Sequence, residues 1–295
     1  MKFLYIAKHG SGGNDDEGAI AACLQELGHE VVLANEDIRF TDTIADVVLF
    51  HHWRQCEVLN SIQGLQPFKA FWCFDLIDWR GDSTLARRCE ERRAWVKKAT
   101  EVCDVGFLTD GDWVARDHGR KLHWLPQGFD TRIDVIAAKK ELDIVFTGIE
   151  NGGEERRSFV REMRERYGTR FTHVPKGCYG TSLSELLARA RIVVAPDAPI
   201  TDRYWSNRVY NTLGRGAFLL HPYTEGLCRQ YGPAELAMYQ DRADLHSKIE
   251  YFLQPENQST AIAYTVLGQS RTLQHHTYMH RVLELVSVLE ERMSR

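Results

Sequence analysis

The chain has 295 residues and a net charge of −4, with 43% apolar and 26% charged residues, a composition typical of globular proteins. No stretch approaches the roughly 18 uninterrupted apolar residues that a membrane-spanning helix needs. The seven cysteines show no Cys-x-x-Cys or Cys/His metal-ligand spacing, so we expect reduced, mostly buried thiols in a cytoplasmic protein.

In the first half, short apolar runs alternate with helical patterns, which predicts a parallel sheet with crossover helices. The N-terminal run KFLYIA is too short for the apolar core of a signal peptide, so we interpret it as the first strand. The other predicted strands are EVVLA, DVVLFHH, KAFWCFDL and DVGFLT, and the predicted helices lie at about 15–27, 55–63, 84–99 and 112–118.

A second series of the same kind follows the segment LHWLPQGFDTRIDV, whose Pro, Gly and weak periodicity place an inter-domain connection near 126–140. It comprises DIVFTG, a helix at about 155–167, RFTHV, a helix at about 182–189, RIVVAP, a helix within SNRVYNTLG, and AFLLH, and only helices are predicted from residue 243 onward. We therefore predict an α/β protein with two Rossmann-like parallel-sheet domains, residues 1–130 and 131–272. The last helix, within 273–295, has an apolar face with Leu283, Leu285, Val286 and Leu289 that must pack on another element.

Three loops of the second series follow strands, at the edge where open parallel sheets bind ligands. The loop after DIVF contains Gly148, and Arg156 and Arg157 lie in the first turn of the next helix. Cations there oppose the helix dipole and are tolerated best beside an anion. The alternative for both arginines is an ordinary solvated surface position. The loop after RIVVAP begins with Asp197, and the third loop is PYTEGL.

The helix within SNRVYNTLG has polar groups that suit a phosphorylated ligand. We expect Ser206 to be its N-cap, which would leave the amides of Asn207 and Arg208 facing an anion. The guanidinium of Arg208 matches phosphate geometry, and Asn211 lies one turn further along. A diphosphate is the simplest ligand for these groups together with the neighbouring loops.

The first half contains a loop and a histidine that could contact a ligand. Gly12, Gly13 and Asn14 lie in HGSGGNDDEG, whose glycine spacing does not fit the dinucleotide motif G-x-G-x-x-G. This loop either approaches a phosphate or sugar, or is a flexible turn. His51 ends a predicted strand and could contact an acceptor, although of His51 and His52 at most one can face the ligand.

Two carboxylates, Asp75 and Asp78, follow the aromatic strand KAFWCF. A carboxylate in this position is a candidate general base, because burial can raise its pKa and orient it toward a hydroxyl. The alternative is that each caps a helix or forms a salt bridge. We expect no metal site, because the His-His pairs lack a third ligand at a diagnostic spacing.

The stretch SNRVYNTLGRGAFLLHPYTEGL, residues 206–227, resembles the donor-site segment of GT-B glycosyltransferases of the spore-maturation type (CgeB-like). LHWLPQGFD, DIVFTG, ERRSFV, DLHSKIEYFL and HHTYMHR resemble further parts of that family, so the likeness covers most of the chain. A more distant likeness, carried by RVYNT and by an Asp after an aromatic strand, is to phage DNA β-glucosyltransferase.

The resemblance implies two Rossmann-like domains around a cleft, with the C-terminal helix packing back toward the N-terminal domain. It implies a nucleotide-sugar donor, most consistently a UDP-sugar, on the second domain, a hydroxyl acceptor on the first, and no metal or other cofactor. Carried over by residue, Arg208 would contact the diphosphate, Gly148 and either Arg156 or Arg157 the phosphates, and Asp75 would be the base.

Asn211 departs from the pattern of this family. Many relatives have a Glu there that accepts both ribose hydroxyls, whereas an Asn offers one acceptor oxygen and an NH₂ donor. Ribose recognition in this chain is therefore expected to differ from that of the relatives.

The sequence leaves three functions open. The first is sugar transfer to an unidentified hydroxyl acceptor. In the second the acceptor is a hydroxymethylated DNA base, which is disfavoured because residues 1–130 hold 15 Lys and Arg against 21 Asp and Glu. The third is a nucleotide-binding protein that has lost catalysis, with Asn211 as the sign of that loss.

Overall fold

The computed structural model describes residues 1–9, 16–35, 45–51, 56–79, 83–116, 121–150, 153–175, 178–196 and 201–295. The chain divides into two units, and the first of them is formed by two separate segments. Met1–Gln127 and Tyr278–Arg295 make up the first unit, and Gly128–Thr277 makes up the second.

The first unit is built on a six-stranded parallel sheet with the order β2-β1-β3-β4-β5-β6. Its strands are β1 (Lys2–Ile6), β2 (Glu30–Ala34), β3 (Val47–His51), β4 (Phe68–Cys73), β5 (Val105–Leu108) and β6 (Leu122–Trp124). Its first four helices are α1 (Asp16–Glu26), α2 (Cys56–Ile62), α3 (Ser83–Val102) and α4 (Gly111–Arg116). Every residue of β3 and β5 is buried, as expected for central strands that helices cover on both faces.

The second unit is built on a five-stranded parallel sheet with the order β11-β10-β9-β7-β8. Its strands are β7 (Leu142–Thr147), β8 (Phe171–Val174), β9 (Ala190–Val194), β10 (Leu219–Pro222) and β11 (Ala237–Tyr239). Its helices are α5 (Glu154–Tyr167), α6 (Gly180–Arg189), α7 (Arg208–Gly214), α8 (Glu225–Gln230), α9 (Arg242–Leu253) and α10 (Gln258–His275). Short 3₁₀ turns follow α5 and α9.

The final helix, α11 (Tyr278–Met293), belongs to the core of the first unit. Its buried face consists of Tyr278, Arg281, Val282, Leu285, Val286 and Leu289. The apolar members of this face share a hydrophobic cluster with side chains of β1 and β4. Arg281 Nε donates to the carbonyl of Gln127 at 3.1 Å. Leu283, which the sequence placed on the apolar face, is 48% exposed because it lies on the opposite side of the helix.

The predicted fold class, two Rossmann-like parallel sheets with connecting helices, is confirmed. Two strands were not predicted, β6 and β11, and each has only three residues, too few for a periodic pattern. No described helix combines the length and the uniform hydropathy that crossing a lipid bilayer would require.

Candidate functional site

A pocket of about 260 Å³ opens at the carboxyl edge of the second sheet. After β7 the chain continues to β8 on one side and then returns to β9 on the other, so the end of β7 is a topological switch point, where open sheets bind ligands. We call it the Arg208 pocket; it is lined by Thr147, Gly148, Val174, Pro175, Cys178, Tyr179, Leu183, Leu187, Arg208, Asn211 and Thr212.

Arg208 is held at this edge by an aromatic ring and a close approach to the backbone. Its guanidinium carbon lies 5.4 Å from the ring centre of Phe146, and Nη1 donates a long hydrogen bond, 3.4 Å, to Ser206 Oγ. Gly148 has φ +146°, and a Cβ there would lie 3.0 Å from Arg208 Nη2 and 3.2 Å from Phe146 Cζ. Only glycine therefore fits beside this arginine without strain.

The helix α7 begins at Arg208, with Asn207 rather than Ser206 in the N-cap position. Asn207 already has helical backbone angles, and its side chain makes no capping hydrogen bond to the helix. The expectation that Ser206 is the N-cap is therefore wrong, and the hydroxyl of Ser206 instead accepts from the guanidinium of Arg208. At the other end, Arg215 is the C-cap and Gly216 follows with φ +69°, the left-handed turn expected after a helix.

The side-chain amide of Asn211 is oriented by Arg215. Arg215 Nη1 donates to Asn211 Oδ1 at 2.6 Å, and its Nε donates to Ser184 Oγ at 3.0 Å. Arg215 is only 4% exposed, and burial lowers its pKa to about 10. Because a guanidinium can only donate, the atom of Asn211 that faces it must be the oxygen, and the NH₂ group remains for a ligand.

The opposite side of the pocket is mostly apolar. Val174 ends β8 and Pro175 follows it, and Leu183 and Leu187 lie one turn apart on α6. Tyr179, 72% exposed, stands just before α6 at the rim. Together with Arg208 and Asn211, these residues form a slot that combines an apolar surface with a cation. Such a slot fits a ligand with a flat ring and an anionic group.

The other candidate residues of the second unit lie elsewhere. Arg157 forms an ion pair with Glu154 at 2.9 Å and its side chain is 46% exposed. Arg156 lines a separate cavity of about 590 Å³, the Arg156 cavity, with Glu154, Glu155, Ser158, Pro196, Pro222, Tyr239, Gln240, Asp241 and Arg242. Neither arginine is among the described residues that line the Arg208 pocket. Asp197 lies outside the described residues.

In the first unit, Asp75 and Asp78 both form ion pairs with arginines, but their exposure differs. Asp75 Oδ1 accepts from Arg92 Nη2 at 2.8 Å, and the Asp75 side chain is 38% exposed. Asp78 is 7% exposed and lies between Arg93 and Arg116, at 2.8 and 2.6 Å. Asp78 is thus enclosed by two cations, whereas Asp75 can reach a ligand. Asp75 is the better placed of the two for proton transfer.

Asp110, which the sequence did not single out, fixes the loop that carries these carboxylates. Its Oδ2 accepts from the amides of Ile77 and Asp78 at 2.8 and 3.3 Å, and its Oδ1 accepts from Trp113 at 2.9 Å. Burial raises the pKa of Asp110, an effect that these three hydrogen bonds oppose. The position of Asp110, just beyond the end of β5, could have marked it in the sequence as a candidate.

His51, the remaining described candidate, is only 2% exposed at the end of β3. Its ring packs against Tyr5, Trp72 and Phe74, with centroid distances of 5.2, 5.8 and 4.7 Å. The structure therefore places His51 within an aromatic cluster. Gly12, Gly13 and Asn14 lie outside the described residues. No three His, Cys, Asp or Glu side chains lie together as metal ligands within the part of the chain that the structure describes.

Arg215 and the apolar side of the Arg208 pocket were also missed. Arg215 lies four residues after Asn211, a helical spacing that allows contact, but the sequence does not reveal its burial. The apolar side comes from β8 and α6, which are separate in sequence and meet only through the sheet topology.

The sequence matches a family model described as glycosyl transferase-like over residues 134–287, just over half of the chain. This range contains every residue of the Arg208 pocket. No curated protein matches the sequence.

Several solved structures share the fold of the whole chain at low sequence identity. Sucrose-phosphate synthase from Thermosynechococcus elongatus superposes with a TM-score of 0.73 at 13% identity, covering 99% of each chain. An alpha-glucosyltransferase in complex with UDP and a 13-mer DNA gives 0.68 at 11% identity, covering 98% of this chain and 99% of that one. A T4 phage BGT mutant in complex with UDP-glucose gives 0.59 at 13% identity, covering 99% of each.

Proposed function

We propose, from the premise that this chain belongs to the glycosyl transferase-like family and is a GT-B glycosyltransferase, that it moves a sugar from a UDP-sugar to a hydroxyl acceptor. The observation that carries this proposal is the Arg208 pocket, where a guanidinium and an apolar slot meet at the switch point of the second sheet. The likeness of residues 206–227 also supports a place in the spore-maturation-type branch.

A nucleoside diphosphate fits the order of groups along the Arg208 pocket. The base occupies the apolar side between Pro175 and Leu187, and the NH₂ of Asn211 donates to a ribose hydroxyl. The diphosphate lies at Arg208, where the glycine at position 148 allows close approach of the backbone. The proteins of similar fold whose structures contain UDP or UDP-glucose support uracil as the base.

In the proposed transfer step, a carboxylate acts on the acceptor and a guanidinium acts on the leaving group. Asp75 takes the proton of the acceptor hydroxyl, whose oxygen then forms a bond to the anomeric carbon of the sugar. The bond from that carbon to the diphosphate breaks, UDP leaves with the electron pair, and Arg208 stabilises the charge that develops on it. A single displacement of this kind inverts the anomeric configuration. Because Arg208 supplies the positive charge, we expect transfer to continue in the presence of a metal chelator.

A hydroxymethylated DNA base is the second candidate acceptor, supported by the fold similarity to the alpha-glucosyltransferase complexed with DNA. Residues 1–130 carry 15 basic and 21 acidic residues, and Arg92 and Arg93 of the basic helix α3 pair with Asp75 and Asp78. Both features disfavour phosphate contacts on the first unit. A gel shift with hydroxymethylated duplex DNA at low salt tests this candidate, and a retarded band that disappears with rising salt would favour it.

A panel of nucleotides tests the donor proposal. Thermal unfolding is measured with UDP, ADP, GDP and dTDP, and UDP release is then followed with several UDP-sugars. We expect UDP to raise the unfolding temperature most, because a ligand that binds only the native state stabilises it. Slow UDP release from one UDP-sugar without acceptor would argue against a catalytically inactive protein. Equal stabilisation by all four nucleotides, or none by UDP, would contradict the proposal.

A further inference from the structure

A buried histidine lies beside the Arg208 pocket without lining it. His173 is on β8, in register with Phe146 on β7, and its side chain is 3% exposed. The two rings are stacked, with centroids 5.2 Å apart and planes 10° from parallel. The ring of Phe171 is also nearly parallel to the imidazole, and their centroids are 6.4 Å apart. Arg208 lies over Phe146, so the imidazole belongs to a stack that supports the guanidinium.

The two ring nitrogens of His173 have different partners. Nε2 lies 2.7 Å from the carbonyl oxygen of Gly148, which can only accept, so Nε2 carries the proton. Nδ1 lies 3.1 Å from Arg164 Nη2 and 3.2 Å from Glu150 Oε1. The same Arg164 atom contacts Glu150 Oε1 at 2.6 Å. The imidazole is thus tied to the Gly148 carbonyl through Nε2, and its Nδ1 lies beside both members of the Arg164–Glu150 ion pair.

His173 is connected to Arg208 through two sets of contacts, a hydrogen bond to Gly148 and a ring stack with Phe146. The hydrogen bond to the Gly148 carbonyl holds a turn with φ +146°, in which the Cα of Gly148 comes close to Arg208 Nη2. The ring stack holds Phe146, on which the guanidinium lies. A change at His173 can therefore displace Arg208 although the histidine does not line the pocket.

We infer that His173 is a positioning residue of the donor site, which sets the turn at Gly148 and the stack under Arg208 so that the guanidinium meets the diphosphate. This inference rests on the proposed function, since it takes the ligand at Arg208 to be a nucleoside diphosphate. It assigns no contact between His173 and the ligand. Its effect should therefore concern the diphosphate and not the nucleoside.

The test compares UDP with uridine in variants of His173. His173→Phe keeps a flat ring in the stack but removes the donor to Gly148, and we expect its Kd for UDP to rise roughly fivefold while that for uridine stays within about twofold. In His173→Gln, the Nε2 amide occupies a place similar to the imidazole Nε2, so we expect UDP affinity within about twofold of wild type. In an Arg208→Ala background, His173→Phe should cause no further loss, because its effect passes through Arg208.

A matched control is His246, another buried histidine of the same unit. It bonds to Tyr167 Oη and Glu162 through its two ring nitrogens, away from the residues of the Arg208 pocket. His246→Phe should lower the unfolding temperature and leave UDP affinity unchanged. If His173→Phe does not fold, His173→Asn replaces it, because its shorter amide does not reach the Gly148 carbonyl and the same selective loss is expected.

Three results would overturn the inference while leaving the donor proposal intact. They are wild-type UDP affinity in His173→Phe, equal losses for UDP and uridine, and an undiminished loss in the Arg208→Ala background. Failure of wild-type protein to bind UDP would instead overturn the donor proposal, and the inference with it.

Discussion

The loop after β4 in the first unit and the Arg208 pocket in the second hold their charged groups in different ways. Asp75 and Asp78 are matched by cations of their own unit, Arg92, Arg93 and Arg116. Arg208 contacts the Phe146 ring, the Ser206 hydroxyl and the turn at Gly148, and it lines a pocket. The guanidinium of Arg208 therefore faces a pocket that a ligand can enter, whereas the Asp78 carboxylate is nearly buried between two arginines.

This difference assigns distinct tasks to the two regions. Arg208 is suited to binding the diphosphate and stabilising it as it leaves. Asp75, with one oxygen held by Arg92 and more than a third of its side chain exposed, is suited to accepting a proton. Substitution of Arg208 should therefore change donor binding, and substitution of Asp75 should change the rate of transfer.

The largest effect is expected for Asp75→Asn. Removal of a general base lowers kcat by about 10²- to 10⁴-fold, while Kd for UDP should not change because the residue lies in the other unit. Steady-state transfer rates and calorimetry with UDP measure the two quantities. Asp78→Asn is the control, and it should lower thermal stability because it weakens two ion pairs at a nearly buried side chain. Equal transfer rates for Asp75→Asn and wild type would show that Asp75 is not the general base.

Arg208→Ala should have the next largest effect, on UDP affinity. Loss of charge-assisted hydrogen bonds to phosphate costs about 1.5–3 kcal/mol, which corresponds to a rise in Kd of roughly 10- to 150-fold. Calorimetry measures it, with Arg157→Ala as the control, since Arg157 is half-exposed and pairs with Glu154. Unchanged UDP affinity in Arg208→Ala, together with weaker UDP binding in Arg157→Ala, would show that the phosphate site lies at α5 instead.

Gly148→Ala tests the close approach of backbone and guanidinium. The added Cβ would lie 3.0 Å from Arg208 Nη2 in a backbone conformation that L residues rarely adopt, so we expect roughly a fivefold loss of UDP affinity. Gly168 has φ +52° with open space around it, which makes Gly168→Ala a matched control for backbone strain. That variant should lose about 1–3 kcal/mol of stability and no UDP affinity. Equal UDP affinity in Gly148→Ala and Gly168→Ala would contradict the close approach of the Gly148 backbone to Arg208.

The smallest effect is expected at Asn211. Its NH₂ group offers one neutral hydrogen bond, worth about 0.5–1.5 kcal/mol, so Asn211→Ala should weaken UDP binding by only a few-fold. The same variant should discriminate less between UDP and its 2′- or 3′-deoxyribose analogues than wild type does. Undiminished discrimination against both analogues would place the ribose elsewhere.

The sequence predicted the arrangement of elements and the importance of α7, because periodic apolar runs and a short polar helix after a strand are local signals. It could not predict which way Arg156 and Arg157 point, since that depends on how α5 packs on the sheet. The contact between Asn211 and Arg215 is compatible with helical spacing, yet its orienting effect depends on the burial of Arg215. These features come from tertiary packing, which no short stretch of sequence contains.

A crystal structure of the protein with UDP tests the central claim most directly. The account predicts a diphosphate oxygen about 3 Å from the guanidinium of Arg208, with uracil on the apolar side of the pocket between Pro175 and Leu187. UDP bound in the Arg156 cavity, or in the Arg208 pocket with its diphosphate turned away from Arg208, would contradict it.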